Sequence, residues 1–282
     1  MGSTHAVLVR GLSRRGDDWM LTLDPAFQGL PDTAHGGTVL AAFHLAAGFE
    51  SAAVRGLYRR RVPVGAPLRL ALAREGNDVT CLLRDDGADA LVEGRVTPLG
   101  PSRPIAGDDD PLNLSCDDGH PVPISRSCFA CGIDNALGLR AQLRHDATLV
   151  GGAWQPDASH HVDGVVTPVA LTTLLDEAAF WLGALASGEA GMTTDLAVTL
   201  LRPVEFGAPI IVGGRRAGVN ARPDDPRYWD THVAAWDDAG RRVAEATITF
   251  VAVRGAARRL VTGMLSMNPP DLVRRVFPNY TQ

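Results

Sequence analysis

The feature that most constrains the fold is a weak internal repeat whose parts recur in the same order. Arg61–Pro67 (RVPVGAP) is echoed by Arg202–Pro209 (RPVEFGAP), and an apolar run follows each. Further along each half, Leu91–Thr97 (LVEGRVT) is echoed by Val243–Thr249 (VAEATIT). Alternation with β-branched residues of this kind is typical of strands. The repeat therefore predicts two copies of one structural unit.

A long apolar run occupies the same place in both copies, over residues 36–53 and 168–186. Both runs are apolar on nearly all faces, which predicts helices buried inside the protein. Glycines open the first run and Pro168 opens the second, and proline is well tolerated at a helix start. A buried helix wrapped by antiparallel strands is an α+β arrangement.

Composition suggests where the copies are joined. Residues 98–127 are rich in Pro, Asp, Gly and Ser and lack periodicity, as linkers do. We therefore expect an N-terminal domain over residues 1–100, a linker over 101–127, a C-terminal domain over 128–256 and an extension over 257–282. Within the extension, Asp271–Phe277 predicts a short helix of unassigned role.

Charge and hydropathy exclude several classes of protein. The net charge of -5 does not suit a nucleic-acid binder. No run approaches the roughly 20 apolar residues of a membrane span, and Met1–Arg10 lacks the pattern of a secretory signal. Four cysteines do not make a disulfide framework in a chain of 282 residues. We expect a cytoplasmic protein that binds neither nucleic acid nor a membrane.

The clearest chemical motif is His35-Gly36-Gly37, at the head of the first apolar run. A helix N-terminus offers unpaired N–H groups and the positive end of the helix dipole. Glycine allows a carbonyl group to approach those N–H groups closely, which makes an oxyanion hole from backbone. The segment Phe27–His44 resembles the HGG-type, PaaI-like hotdog acyl-CoA thioesterases, in which this loop leads into the central helix.

The second half resembles the same family with different residues. Asp163–Ala178 is similar to the family's Gly-Val-Val-His-Gly-Gly…Leu-Leu-Asp-Glu-Ala segment, whose carboxylate lies nine residues after the histidine. Here Asp176 lies nine residues after Thr167, which stands at the histidine position. In the first half, the residue nine after His35 is His44.

The two halves have thus lost opposite parts of the motif. The first lacks the carboxylate, and the second has Pro168, which has no backbone N–H, at the donor position. The family pairs hotdog units about a twofold axis, so that the glycine of one unit faces the carboxylate of the other. The resemblance therefore implies a double hotdog with one site, where Gly36 faces Asp176. A mirror site would join Pro168 to His44, which is expected to be an ordinary core histidine.

The resemblance also implies which other side chains contribute. Gln28 fits a residue that helps hold the substrate carbonyl, with one extra residue of spacing, and Thr193 fits a hydroxyl near the carboxylate. Adjacent helical residues point about 100° apart, so Glu177, the alternative acid, is not expected to face the site with its neighbour. The predicted catalytic residues are Asp176, Gly36, Gly37, Gln28 and Thr193. The predicted substrate-binding residues are His35, which fixes the loop, Thr194, the alternative to Thr193, and Arg61 and Arg202, which suit CoA phosphates.

A metal site is the main alternative use of the cysteines. Cys128 and Cys131 have zinc spacing, and Cys116 and His120 could supply two more ligands. Against this, Cys128–Leu139 resembles a segment that many hotdog proteins carry at the beginning of a domain, with no metal implied. We therefore predict no metal.

The reaction implied is hydrolysis of an acyl-CoA thioester, with Gly36 N–H polarising the carbonyl and Asp176 acting as base or nucleophile. CoA belongs to the substrate, and no cofactor is expected. An enoyl-CoA hydratase is a rival, but it requires an Asp and a His close together, and the sequence presents no such motif. A non-catalytic acyl-CoA or lipid-binding protein is the other rival. The sequence does not identify the acyl group, and it leaves open whether two double hotdogs form a homodimer.

Overall fold

Two buried helices lie where the repeat predicts them, in a computed structural model that describes residues 2–16, 18–87, 89–100 and 119–280. The α-helices are α1 (Thr4–Gly11), α2 (Gly36–Ala47), α3 (Pro168–Ser187), α4 (Ala257–Leu265) and α5 (Pro270–Val276). The first apolar run was predicted to be helical to residue 53, but α2 ends at Ala47. Gly48 follows in the left-handed conformation, with φ of 75°, and terminates the helix.

The strands fall into one large sheet and two small hairpins. In the first half they are β1 (Leu12–Arg15), β2 (Asp18–Thr22), β3 (Gln28–Leu30), β4 (Thr33–Ala34), β5 (Ala52–Tyr58), β6 (Pro67–Glu75), β7 (Asp78–Arg84) and β8 (Ala90–Pro98). In the second half they are β9 (His120–Pro121), β10 (Arg144–His145), β11 (Leu149–Trp154), β12 (His161–Val162), β13 (Val165–Val166), β14 (Gly191–Leu200), β15 (Ile210–Arg215), β16 (Asn220–Ala221), β17 (Tyr228–Trp236) and β18 (Arg242–Ala252).

The strand order of the large sheet is symmetric about its centre, with equivalent strands of the two halves at equal distances from it. It runs β1-β2-β6-β7-β8-β5-β14-β18-β17-β15-β11-β10-β9, and β16 pairs with β17. The halves join where β5 pairs antiparallel with β14, for example Val54 opposite Val198. The repeated sequences lie at corresponding places: one precedes β6 and β15, and the other lies within β8 and β18. The sheet is thus built from two similar sets of strands.

The two long helices pack beside each other inside this sheet. Gly37 makes the contact possible, because a Cβ there would lie 2.4 Å from the carbonyl oxygen of Thr172. The Thr172 hydroxyl instead donates a hydrogen bond of 2.7 Å to the Gly37 carbonyl. The sequence was expected to contain no run long enough for a membrane span, whereas α3 is long and apolar enough to be one; 83% of its apolar window is buried inside the protein. Such burial is that of a core helix, as the apolar pattern predicts.

The C-terminal extension packs against this framework. Residues 101–118 of the predicted linker lie outside the described residues, whereas His120–Pro121 already forms β9 and pairs with β10. The predicted helix at Asp271–Phe277 is confirmed as α5, and α4 precedes it. Asn268, between α4 and α5, accepts from the N–H of Ile124 at 2.9 Å and donates to its carbonyl at 2.8 Å. These bonds hold the C-terminal extension beside the second half.

Candidate active site

A cavity of about 200 Å³ lies between the start of α2 and the middle of α3. Residues from both halves and from the C-terminal extension form its wall. Its lining comprises Gly29, Leu30, Thr33, Ala34, His35, Gly36, Tyr58, Arg59, Arg60, Arg61, Val62, Ser125, Cys128, Cys131, Asp176, Glu177, Phe180, Trp181, Gly191, Met192, Thr193, Thr194, Leu260 and Met264.

The carboxylate of Asp176 is the centre of the polar part. It is 4% exposed and accepts hydrogen bonds from the Thr193 hydroxyl at 2.7 Å and from the Gly37 N–H at 3.0 Å. A Cβ at Gly36 would lie 2.7 Å from Asp176 Oδ2, so only glycine leaves room for the carboxylate. The Gly36 N–H, predicted to polarise the substrate carbonyl, is thus distinct from the N–H that donates to the carboxylate, which belongs to Gly37. Asp176 thereby caps α2 from the other half of the chain.

His35 lies between two carboxylates. Its Nδ1 is 3.0 Å from Asp176 Oδ2, and its Nε2 is 3.4 Å from Glu177 Oε2. The Nδ1 contact is an ion pair without an aligned hydrogen bond. Burial lowers the pKa of His35, but Asp176 and Glu177 outweigh it and raise this pKa well above its usual 6.5. Burial raises the pKa of Asp176, but His35, Thr193 and the Gly37 amide outweigh it and bring this pKa below its usual 3.8. The carboxylate is therefore ionised at neutral pH.

Glu177 also faces the cavity, contrary to the expectation from helix geometry. Its Oε1 accepts a hydrogen bond of 2.8 Å from the indole N–H of Trp181, one turn further along α3. Its Oε2 reaches His35. The angle of about 100° between neighbouring side chains separates Glu177 from Asp176, but the imidazole is wide enough to contact both.

Two free cysteines form part of the wall. The Ala130 N–H lies 3.3 Å from Cys128 Sγ, and the Gly132 N–H donates to the Cys128 carbonyl at 2.9 Å. A hydrogen bond from the Cys131 thiol lowers the pKa of Cys128, with burial opposing it and His35 assisting. The same bond and burial raise the pKa of Cys131. The turn therefore places the Cys128 thiol beside the carboxylate of Glu177.

The remainder of the cavity divides into an apolar side and a basic rim. Tyr58 donates a hydrogen bond of 2.6 Å to the Gly36 carbonyl and so supports the loop that begins α2. Apolar side chains of α3, β14 and α4 form one side: Phe180, Trp181, Met192, Leu260 and Met264. Arg59, Arg60 and Arg61 lie together on another.

Most of the predicted site residues are brought together, and two lie elsewhere. Thr194 and Arg61 line the cavity, and the Thr194 hydroxyl donates to the Thr249 carbonyl at 3.2 Å. Gln28 is in β3, where its carbonyl accepts from the Phe129 N–H at 2.7 Å, and it is not among the described residues that line the cavity. Arg202 lies in the segment before β15 and is likewise outside that described lining.

The positions of the mirror site also meet. His44 and Pro168 line a second cavity of about 250 Å³, together with His5 and Leu8 of α1. Burial lowers the pKa of His44, which favours the neutral imidazole there. The backbone N–H of Thr4 donates to the Ser159 carbonyl at 2.8 Å, which holds the start of α1 close to this region. The second cavity has neither a donor amide at residue 168 nor a carboxylate at residue 44.

Several residues that line the cavity were not predicted from the sequence. Trp181 lies four residues after Glu177, and this helical spacing is a signal for their hydrogen bond. Cys128 and Cys131 lie in a turn that the Gly132 N–H closes, and no local pattern in the sequence indicates that Cys128 lies beside His35. Tyr58 and the α4 residues Leu260 and Met264 carry no local signal either.

Solved structures resemble this chain at low sequence identity. No protein-family model and no curated protein matches the sequence. A conserved protein of unknown function with hot dog fold from Alicyclobacillus acidocaldarius is 14% identical, with a TM-score of 0.58 over 89% of this chain and 98% of its own. The acyl-CoA thioesterase II TesB2 from Mycobacterium marinum is 14% identical, with a TM-score of 0.52 over 87% of this chain and 97% of its own.

A third solved structure is the dehydratase domain of PpsC from Mycobacterium tuberculosis in complex with C12:1-CoA. It is 13% identical, with a TM-score of 0.55 over 84% of this chain and 93% of its own. These likenesses confirm the hotdog fold and the α+β class that the sequence predicts. The chain therefore belongs to the proteins of the hotdog fold, in which antiparallel strands wrap a long helix.

Proposed function

We propose that the chain is an acyl-CoA thioester hydrolase made of two fused hotdog units that share one active site. The observation that carries the proposal is the position of Asp176, an ionised carboxylate at the N-terminus of the other unit's helix. A thioester carbonyl that enters the cavity would meet the amide of Gly36, which lines it, because the Gly37 amide already donates to Asp176. The Gly36 amide would stabilise the negative charge that develops on the carbonyl oxygen.

The carboxylate would supply the second part of the reaction. With its pKa lowered, Asp176 is available as a base toward water or as a nucleophile toward the thioester carbon. Its bond from Thr193 holds it in one orientation. In either route the carbon–sulfur bond breaks, CoA leaves as the thiol and water supplies the oxygen of the free acid.

The cavity wall suits the two ends of an acyl-CoA. The apolar side formed by Phe180, Met192 and Met264 would take the acyl chain, and Arg59–Arg61 would meet the CoA phosphates. CoA enters as part of the substrate, and the proposed reaction uses no cofactor. The acyl-CoA thioesterase II and the C12:1-CoA complex among the similar structures support this ligand class.

The proposed organisation assigns different fates to the two mirror-related sites. The N-terminal unit spans about residues 1–100, the C-terminal unit 128–256, and the extension from 257 completes the wall of the working site. The site at His44 and Pro168 would be inactive, since proline has no amide to donate. We propose a cytoplasmic location and no binding of nucleic acid or membranes. A homodimer of such chains is compatible with this organisation.

One observation favours a second candidate, an enoyl-CoA hydratase or dehydratase. The sequence presents no motif with an Asp and a His close together, yet the fold brings Asp176 Oδ2 to 3.0 Å from His35 Nδ1. Such a pair could move a proton and activate water for addition to a double bond. The PpsC dehydratase domain among the similar structures is consistent with this alternative. A protein that binds acyl-CoA without turnover is the third outcome to be tested.

A single set of assays separates the three. Saturated acyl-CoAs of graded length and the matching trans-2-enoyl-CoAs would be supplied in parallel, with free thiol and loss of the enoyl chromophore as readouts. Release of thiol from the saturated substrates, lost in Asp176→Asn and kept in His44→Ala, supports the hydrolase. Loss of the chromophore without thiol release supports the hydratase. A ligand-induced rise in Tm with neither product indicates a binding protein.

A further inference from the structure

The cysteines, the imidazole and the second acid of the cavity wall form a group that thioester hydrolysis does not use. One ligand atom each from His35, Cys128 and Glu177 lies within 4.8 Å of the other two, and all three residues are buried. They come from the loop before α2, from α3 and from the turn before β10. Three different ligand types thus converge from segments far apart in the chain.

The cysteine turn has the local geometry of a metal-binding knuckle. The Ala130 N–H is directed at Cys128 Sγ, and the Gly132 N–H closes the turn on the Cys128 carbonyl. A Cβ at Gly132 would lie 2.3 Å from that carbonyl oxygen, so the turn requires glycine. An N–H directed at a sulfur stabilises a thiolate, the form that binds metal. Cys131 follows in the same turn at zinc spacing.

Neighbouring side chains orient the other two candidate ligands, Glu177 and His35. Trp181 holds Glu177 Oε1, so Oε2 remains directed at the imidazole. Asp176 lies beside Nδ1 of His35, which leaves Nε2 for the ligand set. In zinc sites, a carboxylate commonly orients a histidine ligand, and a hydrogen bond commonly orients a carboxylate ligand.

The chemistry of the set selects one class of ion. A thiolate with an imidazole and a carboxylate suits Zn²⁺, whereas Mg²⁺ and Ca²⁺ prefer oxygen ligands alone. Ligands about 2.0–2.3 Å from a tetrahedral zinc lie roughly 3.5 Å from one another. The His35–Glu177 separation is 3.4 Å, close to this value, and the Cys128 sulfur lies within 4.8 Å of both.

We propose that His35, Cys128 and Glu177 bind one Zn²⁺, with Cys131 adjacent to its fourth position. The ion would connect the His-Gly-Gly loop of the first half to α3 and the cysteine turn of the second. This ligand set differs from the combination of Cys116 and His120 with the two cysteines that the spacing alone suggests. Cys116 lies outside the described residues. The proposed hydrolysis uses none of these three side chains, so the metal site does not depend on it.

Cobalt provides a direct probe, because a cobalt–thiolate bond gives a charge-transfer band that oxygen ligands do not. The full chain, reduced and stripped with a chelator, would be titrated anaerobically with Co²⁺ and then with Zn²⁺. We expect one equivalent of Co²⁺ to produce the band, Zn²⁺ to displace it, and Zn²⁺ to raise Tm. Absence of the band in the reduced protein would overturn the proposal.

Variants identify the ligands. Cys128→Ser should abolish the band, and Glu177→Gln should weaken Co²⁺ binding by more than about tenfold. The matched controls are Cys81→Ser, a buried cysteine in β7, and Cys116→Ser, and both should retain the band. A band that survives Cys128→Ser, or one lost in Cys116→Ser, would refute this ligand set. Circular dichroism of the metal-free variants separates loss of a ligand from loss of folding.

Discussion

The Asp176 carboxylate, in the second half of the chain, lies 3.0 Å from the imidazole of His35 in the first half. The two residues are 141 positions apart; His35 lies in the loop before α2, and Asp176 lies in α3. Their contact makes the polar end of the cavity a joint product of both halves. It also places Asp176 against the start of α2, where backbone amides are available.

Replacing Asp176 by Asn should lower kcat by about 10² or more, because the amide is neither a base nor a nucleophile. The shape of the side chain is retained, so substrate binding should change less than turnover. Kinetics with the best acyl-CoA substrate measure the effect, and His44→Ala in the second cavity is the control. Full activity in Asp176→Asn would show that the carboxylate takes no part in the reaction.

Gly36→Ala should reduce activity because its Cβ would meet Asp176 Oδ2 at 2.7 Å. The carboxylate must then move, and a displacement of about 1 Å can cost roughly 10²-fold in rate. Gly218→Ala is a matched control, since no atom lies within 4 Å of a Cβ built there. We would measure kcat and Tm for both; equal activity in the two variants would contradict the predicted close contact.

Thr193→Val should impair the enzyme more than Thr194→Val. The first removes a hydrogen bond of 2.7 Å to the ionised Asp176, whereas the second removes one to the Thr249 carbonyl. A hydrogen bond to a charged group is worth about 1.5–3 kcal/mol, so kcat/KM should fall by roughly 10- to 100-fold in Thr193→Val. If Thr194→Val had the larger effect, the hydroxyl beside the carboxylate would have been wrongly identified.

Met264→Trp should shift the preference toward shorter acyl chains, because Met264 of α4 forms part of the apolar wall. A pocket that discriminates single methylenes does so by about tenfold or more, so kcat/KM for the longest accepted chain should fall by at least that factor. Leu265→Trp is the neighbouring control, with a side chain 39% exposed. An unchanged chain-length profile would exclude α4 from the substrate site.

Acid should destabilise the fold through His145 of β10. Burial lowers its pKa from 6.5 to about 4, assisted by Arg216 and His120. The unfolded chain therefore takes up the proton more readily, so this contribution to stability is full above pH 6.5 and is lost as the pH falls to about 4. The loss amounts to about 3 kcal/mol. Urea unfolding measures the free energy of unfolding across this pH range. Its dependence on pH should be weaker in His145→Gln than in the parent protein. In His232→Gln, the control at an exposed histidine, the dependence should equal that of the parent protein.

Local patterns in the sequence were sufficient to predict the units of the fold and part of the site. The repeat placed both long helices, and its echoes fall at corresponding strands of the sheet. The helix predictions succeed because hydrophobic periodicity and the residues at a helix start act over a few positions. The resemblance to the HGG-type hotdogs implied that Gly36 faces Asp176 and that Thr193 lies near the carboxylate, and the structure brings these residues together. The resemblance to paired hotdogs then supplied the relation between the halves.

Tertiary structure decided what stands around those residues. Glu177 faces His35 because the first half's loop packs over that turn of α3, and helix geometry along a single chain does not contain this information. Cys128 joins them because its turn is held to β3 by the bond between Phe129 and Gln28. Met264 enters the wall because Asn268 anchors the extension to Ile124. Each contact joins segments more than 80 residues apart, so it depends on how whole elements pack and leaves no local pattern in the sequence.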